Sequence, residues 1–225
     1  MTRTGAAARP QAINERPESF LDWIQLYRKW IVGAAVVVAV AAAGFWFYMR
    51  SNQIRAANAQ KQLMTAEQSV STGNQPLAIS DLEKLVQRYA GTPAATDGAM
   101  LLAQLEYDAG AYQKGIDALN KVVDDRASTP MRGALLALIA DGYSELGKPA
   151  DAATWYQKAA DQTRFDADRV TYRAQAARAL TNAGKTDEAR KIWADISNQG
   201  IDPGLANEAR VRLGELEAKP ARTQG

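Results

Sequence analysis

The sequence predicts an all-α protein: a single N-terminal transmembrane helix, then a solenoid of four helical hairpins closed by one capping helix. Three observations predict it. Ile31 to Met49 is a run of 19 residues without a charge. Glycine recurs at Gly73, Gly110, Gly147 and Gly184, 37 residues apart each time. Alanine is abundant and β-branched residues are sparse outside the apolar run, which favours helix over sheet. With 47% of its 225 residues apolar, the chain can also bury a sizeable core.

The apolar run, taken with Trp30, is read as a membrane span over residues 30–49. At about 1.5 Å of rise per residue, such a helix reaches roughly 30 Å, the thickness of a bilayer's hydrocarbon core. Trp30 stands at one end and Trp46 and Tyr48 at the other, where aromatic belts form; Arg28 and Lys29 close the front and Arg50 the back. Ala41 to Ala43 offers an Ala-x-Ala cleavage site. The apolar run nevertheless continues through Phe45, Trp46, Phe47 and Tyr48, and the charged front is long, so an uncleaved anchor is expected. The first 29 residues hold five Lys and Arg, against three (Arg50, Arg55, Lys61) in the comparable stretch after the span. The positive-inside rule then leaves the N-terminus in the cytoplasm and carries the following domain across the membrane. Residues 1–19, rich in Ala, Arg, Pro and polar groups, read as a disordered cytoplasmic segment. Residues 20–29 place Phe20, Trp23, Ile24 and Tyr27 at three- and four-residue spacing. They form either an interfacial amphipathic helix or the first turns of one long helix.

Beyond the span, over residues 50–218, the glycines mark a repeat with a 37-residue period, and other columns keep its register. Alanine stands seven residues before each glycine (Ala66, Ala103, Ala140, Ala177), and a small residue five after it (Ala78, Gly115, Ala152, Ala189). A large apolar residue stands nine after (Leu82, Leu119, Tyr156, Trp193), and Leu85, Val122, Ala159 and Ile196 stand twelve after. The physical reading is a helical hairpin used four times. Its first helix ends near the glycine, which turns the chain with positive φ. The small columns let the two helices approach, and the large column fills the space between hairpins. Pro93 and Pro130 are expected to start the next hairpins. A last helix, about Leu205 to Glu217, has no partner and a polar face, which suits a cap. Residues 219–225 read as a flexible tail.

The composition excludes much chemistry. Without His and Cys there is no Ser-His-Asp or Cys-His set and no disulfide, and the commonest metal ligand is missing. The glycines come one per repeat and form no phosphate loop. Residues 50–225 carry 22 charges of each sign, so no basic stripe suggests nucleic acid. Asp124, Asp125, Asp166 and Asp168 read as solvated residues of inter-hairpin loops. The protein is expected not to be an enzyme and to use no cofactor and no metal.

The small, glycine, small, aromatic and apolar columns resemble the tetratricopeptide repeat over about residues 56 to 218. The resemblance is clearest in Tyr143, Gly147, Ala152, Tyr156 and Ala159, and again in Gly110, Tyr112, Gly115, Leu119 and Val122. The chain departs from that pattern in its longer period and in lacking the usual opening Trp and Leu-Gly pair. The layout of short front, anchor and repeat domain is similar to the YfgM-like tetratricopeptide proteins of the bacterial inner membrane. That resemblance implies a periplasmic repeat domain and association with the Sec translocon and periplasmic chaperones. The tetratricopeptide resemblance implies a partner groove lined by the first helices, at one, four and five residues after the alanine column: Gln104, Tyr107, Asp108, Asp141, Ser144, Glu145, Arg178, Thr181 and Asn182.

Two functions are open at this level. One is a protein-binding module on the periplasmic face, assisting protein translocation or envelope protein assembly, with the groove receiving an extended polypeptide. The other is a structural or accessory subunit of a larger inner-membrane complex, held through the span, where Ala35, Ala39 and Ala43 form a small-residue stripe. Trp193 is expected in the core, while Trp155 is open between partner contact and partial burial.

Overall fold

A computed structural model describes residues 18–199 and 202–218. Most of the front segment and all of the tail lie outside them. Among the described residues there are nine α-helices, one short 3-10 helix and no strand. The chain divides into two units, Met1–Asn52 and Gln53–Gly225.

Helix α1, Glu18–Ser71, runs through both units without a break. Residues 20–29 are therefore the first turns of one long helix. Side chains from Val32 to Met49 are exposed throughout, with Phe45, Trp46, Phe47 and Tyr48 each about two-thirds uncovered. An apolar surface of that extent is not left open to water. By length and composition this helix can cross a membrane.

In the second unit the first helices of the hairpins are the end of α1, then α3 (Pro93–Asp108), α5 (Arg132–Glu145) and α7 (Asp166–Asn182). Their last residues, Ser71, Asp108, Glu145 and Asn182, fall one period apart. Each is followed by a repeat glycine at φ +69° to +77°. The amide after each glycine returns to a carbonyl five residues back, as in Lys148 N to Tyr143 O at 2.9 Å and Lys185 N to Leu180 O at 2.9 Å. The glycine's own amide bonds three back, as in Gly147 N to Ser144 O at 3.0 Å. This is a Schellman turn four times over, and it needs a residue without Cβ at its left-handed position.

The second helices α2 (Gln75–Arg88), α4 (Tyr112–Asn120), α6 (Pro149–Gln162) and α8 (Thr186–Gln199) begin at the same phase. Ala78, Gly115, Ala152 and Ala189 are all buried, and so are Leu82, Leu119, Tyr156 and Trp193. Helix α9, Pro203–Ala218, closes the stack through Ala206, Ala209 and Leu216.

Three of the connections differ from expectation. Pro93 does start α3, with Thr92 as its N-cap, but Pro130 lies inside the 3-10 helix Arg126–Met131, and α5 starts after it. Helix α4 stops five residues short of the point at which α2 and α6 end within the period. Where α2 continues Leu85-Val86-Gln87-Arg88, the equivalent places hold Val122, Val123, Asp124 and Asp125, poorer helix formers. The freed backbone is taken up by Arg132, whose Nε donates to Val123 O at 3.0 Å and Nη2 to Asp124 O at 3.4 Å. Asp166 and Asp168 belong to the first turn of α7, where acids favour the helix dipole, and Asp166 pairs with Arg169.

Candidate functional site

The groove expected on the first helices is built from three consecutive turns of register. Gln104, Tyr107 and Asp108 come from α3, Asp141, Ser144 and Glu145 from α5, and Arg178, Thr181 and Asn182 from α7. Five of them (Gln104, Asp108, Ser144, Glu145, Asn182) are exposed, and the other four are half-buried.

The half-buried four already have work inside the domain. Tyr107 is wedged between hairpins: a Cβ on Gly115 or Gly142 would overlap its side chain. Its hydroxyl donates to Leu138 O at 2.9 Å, tying α3 to α5. Asp141 accepts a hydrogen bond from the Tyr156 hydroxyl. Burial pushes the Asp141 carboxyl above the usual carboxylate range; the Tyr156 bond opposes this and the neighbouring Glu145 charge adds to it. Burial also raises Tyr107 and Tyr156 well above an ordinary phenol, with Asp141 reinforcing both. These hydroxyls therefore remain protonated donors. The Arg178 guanidinium holds Glu208 of α9 through Nε (2.9 Å) and Nη2, and its Nη1 donates to Gln175 at 2.9 Å. That pairing holds Glu208 below its ordinary range, and Arg212 contributes to the effect. The Thr181 hydroxyl donates to Ala177 O at 2.9 Å.

The three α7 positions meet at one place. Arg178, Thr181 and Asn182 line a hollow of about 200 Å³ together with Trp193 of α8 and Arg212 of α9. Trp193 and Arg212 were not among the expected groove residues. Trp193 belongs to a core column, and Arg212 lies on the unpaired capping helix, where the period gives no guide. A larger hollow of about 570 Å³ opens beside the shortened α4, bounded by Val123, Leu136, Trp155 and Lys158. Trp155 is half-buried there, stacked on Tyr143 with centroids 6.1 Å apart, and Lys158 Nζ lies 4.0 Å from its ring centre. No group of three or more metal-ligating side chains occurs among the described residues.

Stacked helical hairpins with a lined face on their first helices define a class of protein: a repeat scaffold for protein–protein interaction, a fold that is typically non-catalytic. This chain belongs to the tetratricopeptide repeat-like domain family, whose model matches residues 22–140, more than half of it. Among solved structures it is similar to YrrB, described as a TPR protein with an unusual peptide-binding site. The TM-score is 0.52 at 22% identity, over 70% of this chain and 75% of that one. It is also similar to a Podosopora anserina structure of nearly identical TPR-like repeats. There the TM-score is 0.51 at 19% identity, over 75% of this chain and 98% of that one. No curated protein matches the sequence.

Proposed function

We propose that the protein is a membrane-anchored polypeptide-binding module, with its repeat domain on the periplasmic face of a bacterial inner membrane. There it assists protein translocation or envelope protein assembly. The observation that carries the reading is the mixed polar lining of the first-helix face. Exposed Gln104, Asp108, Ser144, Glu145 and Asn182 stand above a floor fixed by Tyr107, Asp141 and Arg178. Amide and carboxylate side chains on a rigid face suit the alternating donors and acceptors of an extended backbone. The family match begins ahead of the span and continues into the hairpins, which supports anchor and repeats as one working unit. The Lys and Arg excess in the front 29 residues supports the topology. A YfgM-like role, with the Sec translocon or periplasmic chaperones as partners, is the specific form of this proposal.

The test places a photo-crosslinking amino acid at Gln104 or Ser144 in the full chain in native membranes. The control position is Gln157, exposed on the second helix α6. Polypeptide adducts at the two groove positions, with few at the control, are expected. Equal yields at all three sites would sink the groove. Protease added to intact spheroplasts should degrade the repeat domain, and a fully protected domain would reverse the topology.

A further inference from the structure

The larger hollow involves the second helices and shares no residue with the first-helix groove. Helix α4 ends at Asn120, five residues early in the period, and a space of about 570 Å³ opens between its end and α6. The floor is apolar: Val123 and Leu136 are buried and Trp155 is half-buried. The indole of Trp155 is held nearly parallel to Tyr143, and the ammonium of Lys158, an exposed residue, lies 4.0 Å from its ring centre. This indole therefore already receives a cation. Four charged residues line the hollow, Asp124, Arg132, Lys158 and Asp161, and they sum to zero. The two cations are committed elsewhere. Arg132 donates to the carbonyls of Val123, Asp124 and Asp125, and Lys158 sits on the indole. Asp124 and Asp161 are exposed and join no ion pair among the described residues. The charge left unspent around the apolar floor is negative.

We propose that this hollow is a second docking site, and that it takes an arginine side chain of a polypeptide partner. The aliphatic stem of an arginine suits the floor of Val123 and Leu136. Its planar guanidinium stacks on an indole and forks toward carboxylates, which a compact ammonium does less well. Lys158 is then the resident cation that the guest displaces. An apolar guest would leave Asp124 and Asp161 without a partner, and an acidic guest would meet them as like charges. Gln157 of α6 does not line this hollow, so crosslinking at the groove and docking here report on different surfaces.

Indole ¹⁵N–H signals of the full chain in micelles of an uncharged detergent test this. The five tryptophans give at most five such signals, and Trp155→Phe identifies the relevant one. The probe is the blocked tripeptide acetyl-Gly-Arg-Gly-amide, and its control carries citrulline, the uncharged isostere, in place of arginine. Saturable movement of the Trp155 signal by the arginine peptide, and not by the citrulline peptide, is expected. Changing both acids, Asp124→Asn with Asp161→Asn, should weaken the affinity by about tenfold, the scale of two partly exposed ion pairs. Lys158→Ala removes the competing cation and should strengthen the affinity severalfold. Asp151→Asn, in the first turn of the same helix and outside the hollow, should leave it unchanged. An indole indifferent to the arginine peptide, or moved equally by citrulline, overturns the proposal. So does an affinity that survives loss of both acids. A Trp155 signal that moves on dilution of the chain alone would mean that a second copy covers the hollow, and would overturn it too.

Discussion

Asp141 shows how one residue can serve both the face and the interior. It stands at a groove position, yet it is half-buried and bonded by Tyr156, so its ionised form loses much of the hydration it has in the unfolded chain. Folding raises its pKa, so folding favours the protonated form. That contribution is complete below the unfolded value and is lost as pH rises through the folded one. Asp141→Asn keeps an acceptor for Tyr156 and removes the ionisation. Its melting temperature should exceed that of the native chain at neutral pH, and the gap should close below about pH 4, where the unfolded carboxyl is itself protonated. A gap of constant size across that range would mean that ionisation of Asp141 does not oppose folding. Tyr107 makes a similar point by geometry: at a groove position it sinks inward because Gly115 and Gly142 leave room for its ring.

At the scale of the element, the hairpin turn is the feature most exposed to damage. Gly147 has φ +69° and closes α5 through two backbone bonds, and a Cβ there would meet nothing within 4 Å. Any penalty on substitution is therefore conformational and not steric crowding from neighbours. Gly147→Val should destabilise the domain by about 1–2 kcal/mol, the cost of left-handed backbone for a residue with a Cβ, with β-branching adding to it. A thermal melt followed by circular dichroism measures this. An unchanged, cooperative melt would place the strain elsewhere. Arginines protect the other ends of the hairpins. Arg132 and Arg169 stand one period apart, and each donates to a carbonyl in the connection that follows the preceding second helix, Val123 O at 3.0 Å and Thr163 O at 3.3 Å. Arg55 of α1 does the same for α2, reaching Arg88 O and Ala90 O at 3.2 Å.

For the molecule as a whole, period alone located the hairpins, their turns and the buried columns, because each repeat buries the same face against its neighbour. The candidate face was placed by the same register, but the depth of its side chains was not. Depth depends on particular side-chain pairs: Tyr107 against Gly115 of its own hairpin and Gly142 of the next, and Arg178 against Glu208, 30 residues on and carried by the unpaired α9. The early end of α4 left a trace in Val122, Val123, Asp124 and Asp125 when set against Leu85 to Arg88, yet one helix's weak propensity is easily overridden by packing.

First helices that end at Ser71, Asp108, Glu145 and Asn182 also make the length of this domain discrete. Cutting out Lys148–Gly184 removes 184 − 147 = 37 residues and rejoins Gly147 to Lys185, the residue that follows a repeat glycine in the intact chain. A shorter solenoid that still melts cooperatively is expected. Cutting out Lys148–Leu180 instead sets Gly147 before Thr181 and throws every later column out of phase, so a cooperative melt should be lost. The domain can thus be shortened or extended only in whole steps, and the reach of its binding face changes with the number of hairpins, not with small insertions.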